Sequence, residues 1–91
     1  MKITTERNKV KGQITKMHLL TTGYASLYAS GIQAGVYSNG SAYAAAHVSM
    51  TDGHSDGWCF GAKSCREAAK FFKKLAVILD NRARQARKVA R

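Results

Sequence analysis

Apolar residues recur along this chain at two different periods, and the change of period divides it into elements. Towards the C-terminus Ala68, Phe71, Phe72, Leu75 and Leu79 follow one another at spacings of three and four, an apolar stripe along one helix face. Lys70, Lys73, Lys74 and Asp80 take the remaining surface. Ser64-Cys65-Arg66-Glu67 has the form of a capping box, in which the Ser64 hydroxyl accepts from the Glu67 amide and the Glu67 carboxylate reaches back. The pattern predicts a helix from about Cys65 to at least Asn81. Beyond it RARQARKVAR is basic with little to bury, which predicts a tail over residues 82–91, either a frayed helix or disordered, attached to a single domain of residues 1–81.

Upstream the period shortens to two. Ser38-Asn39-Gly40-Ser41 announces a β-hairpin, and its register can be argued. A two-residue turn would put Ile32, Ala34 and Val36 on the opposite face from Ala44, Ala46 and Val48. A three-residue loop with Gly40 in the left-handed conformation shifts the pairing by one. Ile32, Ala34, Val36, Ala42, Ala44, Ala46, Val48 and Met50 then share the core face, and this register is preferred. Tyr24–Ser30 alternates as a further strand with Ala25 and Leu27 inward. Trp58 and Phe60 read as a short third strand after the Asp52–Gly57 loop, with Trp58 as a core anchor. In residues 1–20, Val10, Ile14 and Met17 fit a helical spacing, whereas Ile14–Leu20 fits an edge strand ahead of a Thr21–Gly23 turn; the strand is favoured. The fold class is therefore α+β: a three- or four-stranded antiparallel sheet packed against one C-terminal helix.

Charge changes the picture more than composition does. From Met17 to Thr51 there is no Asp, Glu, Lys or Arg, although the formal net charge is +10. The stretch is rich in Ser, Thr, Gly and Tyr and never approaches the unbroken apolar run of a membrane span. All fifteen basic side chains lie outside it. Such an excess of positive charge attracts polyanions or acidic surfaces. The N-terminal MKITTERNKVKG lacks the apolar stretch of a secretory signal, and Cys59 and Cys65 fit no common zinc spacing, so the expectation is a cytoplasmic protein with reduced thiols.

Catalytic chemistry is thinly provided. Glu6, Asp52, Asp56, Glu67 and Asp80 are scattered, and no nucleophile stands beside His18, His47 or His54 in a known pattern. The two carboxylates and histidine of the Asp52–Gly57 segment match no calcium loop. No enzyme activity, cofactor, metal or small-molecule substrate is expected. The tyrosines offer more. In the preferred register Gln33, Tyr37, Tyr43, His47 and Ser49 share the outer sheet face, and Tyr24 and Tyr28 join them by opposing Ala25 and Leu27. Tyr supplies contact area and a hydroxyl at little entropic cost, so this neutral face is the candidate partner-binding surface. Lys63, Arg66, Lys70, Lys73, Lys74, Arg82, Arg84, Arg87, Lys88 and Arg91 are the candidate electrostatic residues, for phosphate or an acidic protein surface.

Three resemblances bear on these residues. Gly35-Val36, Ala44–Val48, Trp58-Cys59-Phe60-Gly61, Glu67-Ala68-Ala69 and Leu75-Ala76 are similar in order to the sheet-plus-helix DNA-binding domain of plant ethylene-response factors and some phage integrases and endonucleases. That resemblance implies the fold. It does not imply the DNA-reading residues, because the family's outer-face arginines are replaced by Gln33, Tyr43, His47 and Ser49. Val36-Tyr37-Ser38-Asn39-Gly40-Ser41, Ala45, Val48, Asp52-Gly53-His54-Ser55, Gly57 and the paired Phe71-Phe72 resemble a small phage anti-CRISPR family that binds the backbone subunits of a type I surveillance complex. This second resemblance implies a twisted antiparallel sheet that grips its target with exposed tyrosines, Tyr37 standing at the matching position. Near Ser49, where that family has an acidic contact residue, this chain has a small polar one. A fainter likeness, to double-stranded-RNA-binding domains, rests on Lys63, Arg66 and Lys70 at the helix start. The expectation is a binding protein that docks on a protein or ribonucleoprotein complex of the CRISPR effector type; direct binding of DNA or RNA is the alternative, and no membrane is expected.

Overall fold

The structure, a computed structural model, describes residues 2–9, 12–20, 26–51 and 62–89. Four strands, β1 (Lys2–Arg7), β2 (Ile14–Leu20), β3 (Ser26–Val36) and β4 (Ala42–Thr51), form one antiparallel sheet in the order β1-β2-β3-β4. The helix α1 (Ala62–Val89) packs across one face of it. The α+β architecture expected from the sequence is the one observed.

The Asn39-Gly40 loop has the three-residue form. The Tyr37 N–H donates to the Ser41 carbonyl at 2.7 Å, and the Gly40 N–H donates to the Tyr37 carbonyl at 2.9 Å. Gly40 has φ of 89°, a conformation that any Cβ would strain. Val36 consequently stands opposite Ala42 and Ala34 opposite Ala44, the register expected. Asn39 tightens the loop by accepting the Ser41 N–H on Oδ1 at 2.9 Å.

The alternation predicts separate strands for Tyr24–Ser30 and Ile32–Val36, but β3 runs unbroken from Ser26 to Val36. A bulge makes this possible. Ser30 pairs with His47 and Gln33 with Ala45, so Gly31 and Ile32 together oppose the single Ala46. Gly31 takes φ of 59°, the left-handed conformation that a bulge of this kind assigns to glycine. The extra residue changes the parity of the strand. Leu27 and Ala29 point to the helix before it, Ile32 and Ala34 after it, and the apolar face stays continuous.

The N-terminal hairpin is the second departure. Ile14–Leu20 is a strand, in line with the favoured reading, yet it is not an edge, because β1 pairs along its free side. The connection is closed by Asn8 N–H to the Gln13 carbonyl and Gly12 N–H to the Asn8 carbonyl, both 2.7 Å, with Gly12 at φ of 68°. A further irregularity falls between Glu6 and Arg7: Glu6 pairs with Lys16 but Arg7 with Ile14, which leaves Thr15 as the additional residue.

The core lies under β2 and the Ser26–Ile32 part of β3, and β4 contributes no fully buried side chain among the described residues. Met17, Leu19, Leu27, Ala29 and Ile32 meet Ala68, Phe71 and Leu75 of α1. Ala44 and Val48, expected beneath the helix, are exposed, and Ala46 is half-buried. The physical reason is volume: β4 offers mainly alanine, whereas Met17, Leu19 and Leu27 on β2 and β3 have the side chains worth covering. Phe72, which spacing assigns to the buried stripe, is 46% exposed, while its neighbour Phe71 is fully buried. The two rings meet edge to face at 5.7 Å. The helix also starts at Ala62, ahead of the expected Cys65, so Ser64 lies inside its first turn, and Glu67 is buried. At the other end residues 82–89 are helical, the helical one of the two alternatives the sequence leaves open for this segment. The expected Thr21–Gly23 turn, Trp58–Phe60 strand and Asp52–Gly57 loop, with Cys59, lie outside the described residues.

Candidate interaction face

The register determines which side chains share the face that α1 leaves uncovered. Cross-strand partners in an antiparallel pair point the same way, and Gly35 pairs with Tyr43, Ser30 with His47, and Tyr28 with both Ser49 and His18. Tyr28, Gln33, Tyr37, Tyr43, His47 and Ser49 therefore stand together on the outer face, as the alternation predicts. Tyr24 lies outside the described residues.

Three local contacts organise this face. At the hairpin end Tyr37 and Tyr43 are diagonal neighbours, with ring centroids 4.9 Å apart and planes tilted by 41°. Tyr37 is 58% exposed and Tyr43 37%. Gly35 is what lets Tyr43 lie down: a Cβ there would stand 2.5 Å from the Tyr43 Oη and 2.6 Å from its Cζ. The ring thus rests on bare backbone, and its mate projects into solvent. In the middle of the face Ser49 Oγ and His47 Nε2 are 2.8 Å apart. Nearer β1, His18 stacks on Tyr28 at 6.1 Å, and its Nε2 is 3.9 Å from Glu6 Oε1, with Lys16 Nζ 3.9 Å from the other carboxylate oxygen. Among the described residues, charge on this side of the sheet is thus confined to β1 and β2. The half built by β3 and β4 is neutral and aromatic.

The cations lie elsewhere. At about 100° per helix residue, Arg66, Lys70, Lys73, Lys74, Arg84, Arg87 and Lys88 fall in one sector of α1 turned away from Phe71 and Leu75, and all seven are exposed. Arg84 is paired with Asp80 at 3.0 Å. Lys63 sits in the first turn of the helix, and Arg91 is outside the described residues. Because α1 covers the face opposite the tyrosines, these charges and the aromatic pair are separated by the thickness of sheet and helix, roughly 10 Å or more. The two sets expected from the sequence form two surfaces, not one.

Arg82 belongs to neither. Its guanidinium turns inward and donates to the backbone carbonyls of Ile14 and Ile32, residues that flank the two irregular sites in β2 and β3. Burial lowers its pKa from the ordinary arginine value. The basic run around it predicts a place on the electrostatic surface; instead it fastens the helix to the sheet. Spacing alone could have found it, since Arg82 continues the buried series Ala68, Phe71, Leu75 and Ile78.

Among the described residues no group of three or more His, Cys, Asp or Glu could hold a metal ion. No described helix is long and apolar enough to cross a membrane. Comparison with known proteins finds no matching family, no matching curated protein and no matching solved structure.

Proposed function

We propose that this protein is a non-catalytic inhibitor that docks on a nucleic-acid-handling effector complex of the CRISPR type through the neutral half of its open sheet and thereby blocks DNA binding. The observation that carries the reading is the exposed Tyr37–Tyr43 pair, seated on Gly35, on a face where β3 and β4 offer no charge. Rigid, half-exposed tyrosines supply contact area with little ordering cost, the usual character of interface hot spots. A nucleic acid stacked on the same rings would need phosphate partners close by, and the nearest cations on that side among the described residues lie on β1 and β2, with Lys16 facing Glu6.

The decisive measurement is equilibrium binding to a reconstituted type I surveillance complex, read together with DNA loading. Tyr37→Ala and Tyr43→Ala should each weaken binding by about 2 kcal/mol and restore DNA loading, with thermal melting unchanged. Wild-type binding by both variants would rule out the tyrosine face as the docking surface.

One observation favours a second reading. The exposed basic sector of α1 would suit direct contact with DNA or RNA phosphate. In that case replacing Lys70, Lys73 and Lys74 by Gln would abolish binding to nucleic acid, affinity would fall steeply with salt, and the tyrosine variants would be silent.

A further inference from the structure

The packed core ends at the level of Ile32 and Arg82, yet both of its walls continue. β3 runs on to Val36, and α1 runs two further turns to Val89. Between these extensions lies a cleft of about 650 Å³, lined by Ala34 and Val36 from the strand and by Ala86 and Val89 from the helix. These side chains are too small to fill the space between the two elements. Both strands under this end of the helix are irregular just before it, at Thr15 and at Gly31, and bulges bend a strand out of its previous line. The cleft therefore has its origin in the sequence: a bent sheet, small side chains, and a helix that overruns its core.

Polar groups complete the lining. Gln13 and Gln85 contribute amides, and Lys88 and Arg82 contribute positive charge; no carboxylate lines the cleft among the described residues. Arg82 already donates to Ile14 and Ile32, so it contributes field more than contact, and Lys88 is the exposed cation able to meet a ligand. The volume is that of sites for small organic molecules, which combine an apolar lining with a few polar groups.

From this combination we propose that the cleft binds a small amphipathic anion, with an aliphatic or aromatic body against Ala34, Val36, Ala86 and Val89 and a carboxylate or sulfonate held by Lys88 and the glutamine amides. The site is on the helix side of the sheet; Gly35, whose other side seats Tyr43, is the one lining residue it shares with the tyrosine face.

The test uses the whole chain and three probes: anilinonaphthalene sulfonate by fluorescence, decanoate by displacement, and decyltrimethylammonium as the same tail with the opposite charge. Decanoate should displace the dye saturably at concentrations below the order of 1 mM and move the amide NMR signals of Val36 and residues 85–89. The ammonium compound should do neither. Lys88→Gln should weaken decanoate about tenfold, the effect of losing one charged contact, and Ala86→Phe should fill the cleft and abolish binding with melting unchanged. If Ala86→Phe fails to fold, Lys88→Gln and the signal map decide. Equal binding of the two decyl compounds, shifts centred elsewhere, or no saturation would each overturn the proposal.

Discussion

Arg82 holds a place on α1 that the pattern of Ala68, Phe71, Leu75 and Ile78 would give to an aliphatic side chain. The side chain is half-buried, and its fork meets the backbone carbonyls of Ile14 and Ile32 beside the irregular sites of β2 and β3. Arg82→Met keeps the stem and removes both bonds. Charge-assisted hydrogen bonds of this kind contribute about 2 kcal/mol, so the urea midpoint should drop by the equivalent amount. Arg82→Lys should recover less than half of that, because one ammonium cannot span two carbonyls as a planar fork does. The guanidinium remains charged although burial lowers its pKa, so the difference between wild type and Arg82→Met should be flat from about pH 5 to pH 9. A midpoint that does not move in Arg82→Met would leave the two bonds without energetic weight. Gly35 gives a second test at this scale. Gly35→Ala places a methyl where the Tyr43 ring rests, and the cheapest escape is rotation of that ring into solvent. The variant should melt close to wild type and lose partner binding as severely as Tyr43→Ala; retained binding would show that the seat of the ring is immaterial.

Among the elements, the Asn39-Gly40 loop and the bulge in β3 show what a sequence discloses and what it hides. The loop is legible because its chemistry is local: a glycine that must adopt positive φ and an Asx acceptor two residues before the N–H it binds. The positions of Tyr37, Tyr43, His47 and Ser49 depend on it. Gly31 misleads because a glycine between two alternating runs reads as an end; only the pairing of Ser30 with His47 and of Gln33 with Ala45 reveals a continuous strand. Phe71 and Phe72 are inseparable by spacing, since either completes a three-and-four pattern, and the choice is made by the sheet. The separation of tyrosines from lysines depends on which face the helix covers, a tertiary fact. The bulge makes its own prediction. Gly31→Ala should cost about 1 kcal/mol, the strain of a Cβ in the left-handed conformation, since nothing crowds that position. Deleting Gly31 should be tolerated about as well, because Ile32 then stands alone opposite Ala46, regular pairing is restored, and Ile32, Ala34 and Val36 keep the helix face; a deletion variant that unfolds would contradict the assignment of Gly31 as the extra residue.

For the molecule as a whole, the division into a neutral aromatic side and a cationic helix side separates affinity from encounter. Removing residues 84–91 leaves Arg82 in place and takes away Arg84, Arg87, Lys88 and Arg91. Long-range charge acts mainly on association, so the truncated protein should bind its target more slowly at low salt, with little change in dissociation; an unaltered on-rate would make these residues solubilising only. Hydrogen exchange should be slowest in Met17–Leu19, Leu27–Ala29 and Phe71–Leu75, where the core side chains are buried, and faster at Ala42–Ala45. The chain order of the elements has a consequence for biosynthesis. The strands pair in the order in which they are made, but the aromatic that closes the core, Phe71, lies on the last element. At roughly 5–20 residues per second, a nascent chain carries Met17, Leu19 and Leu27 uncovered for a second or more before α1 is complete. The ribosome therefore releases a sheet that is sticky on one side until the helix arrives. Force on the nascent chain should rise when Leu75 clears the exit tunnel, and not earlier when Thr51 does.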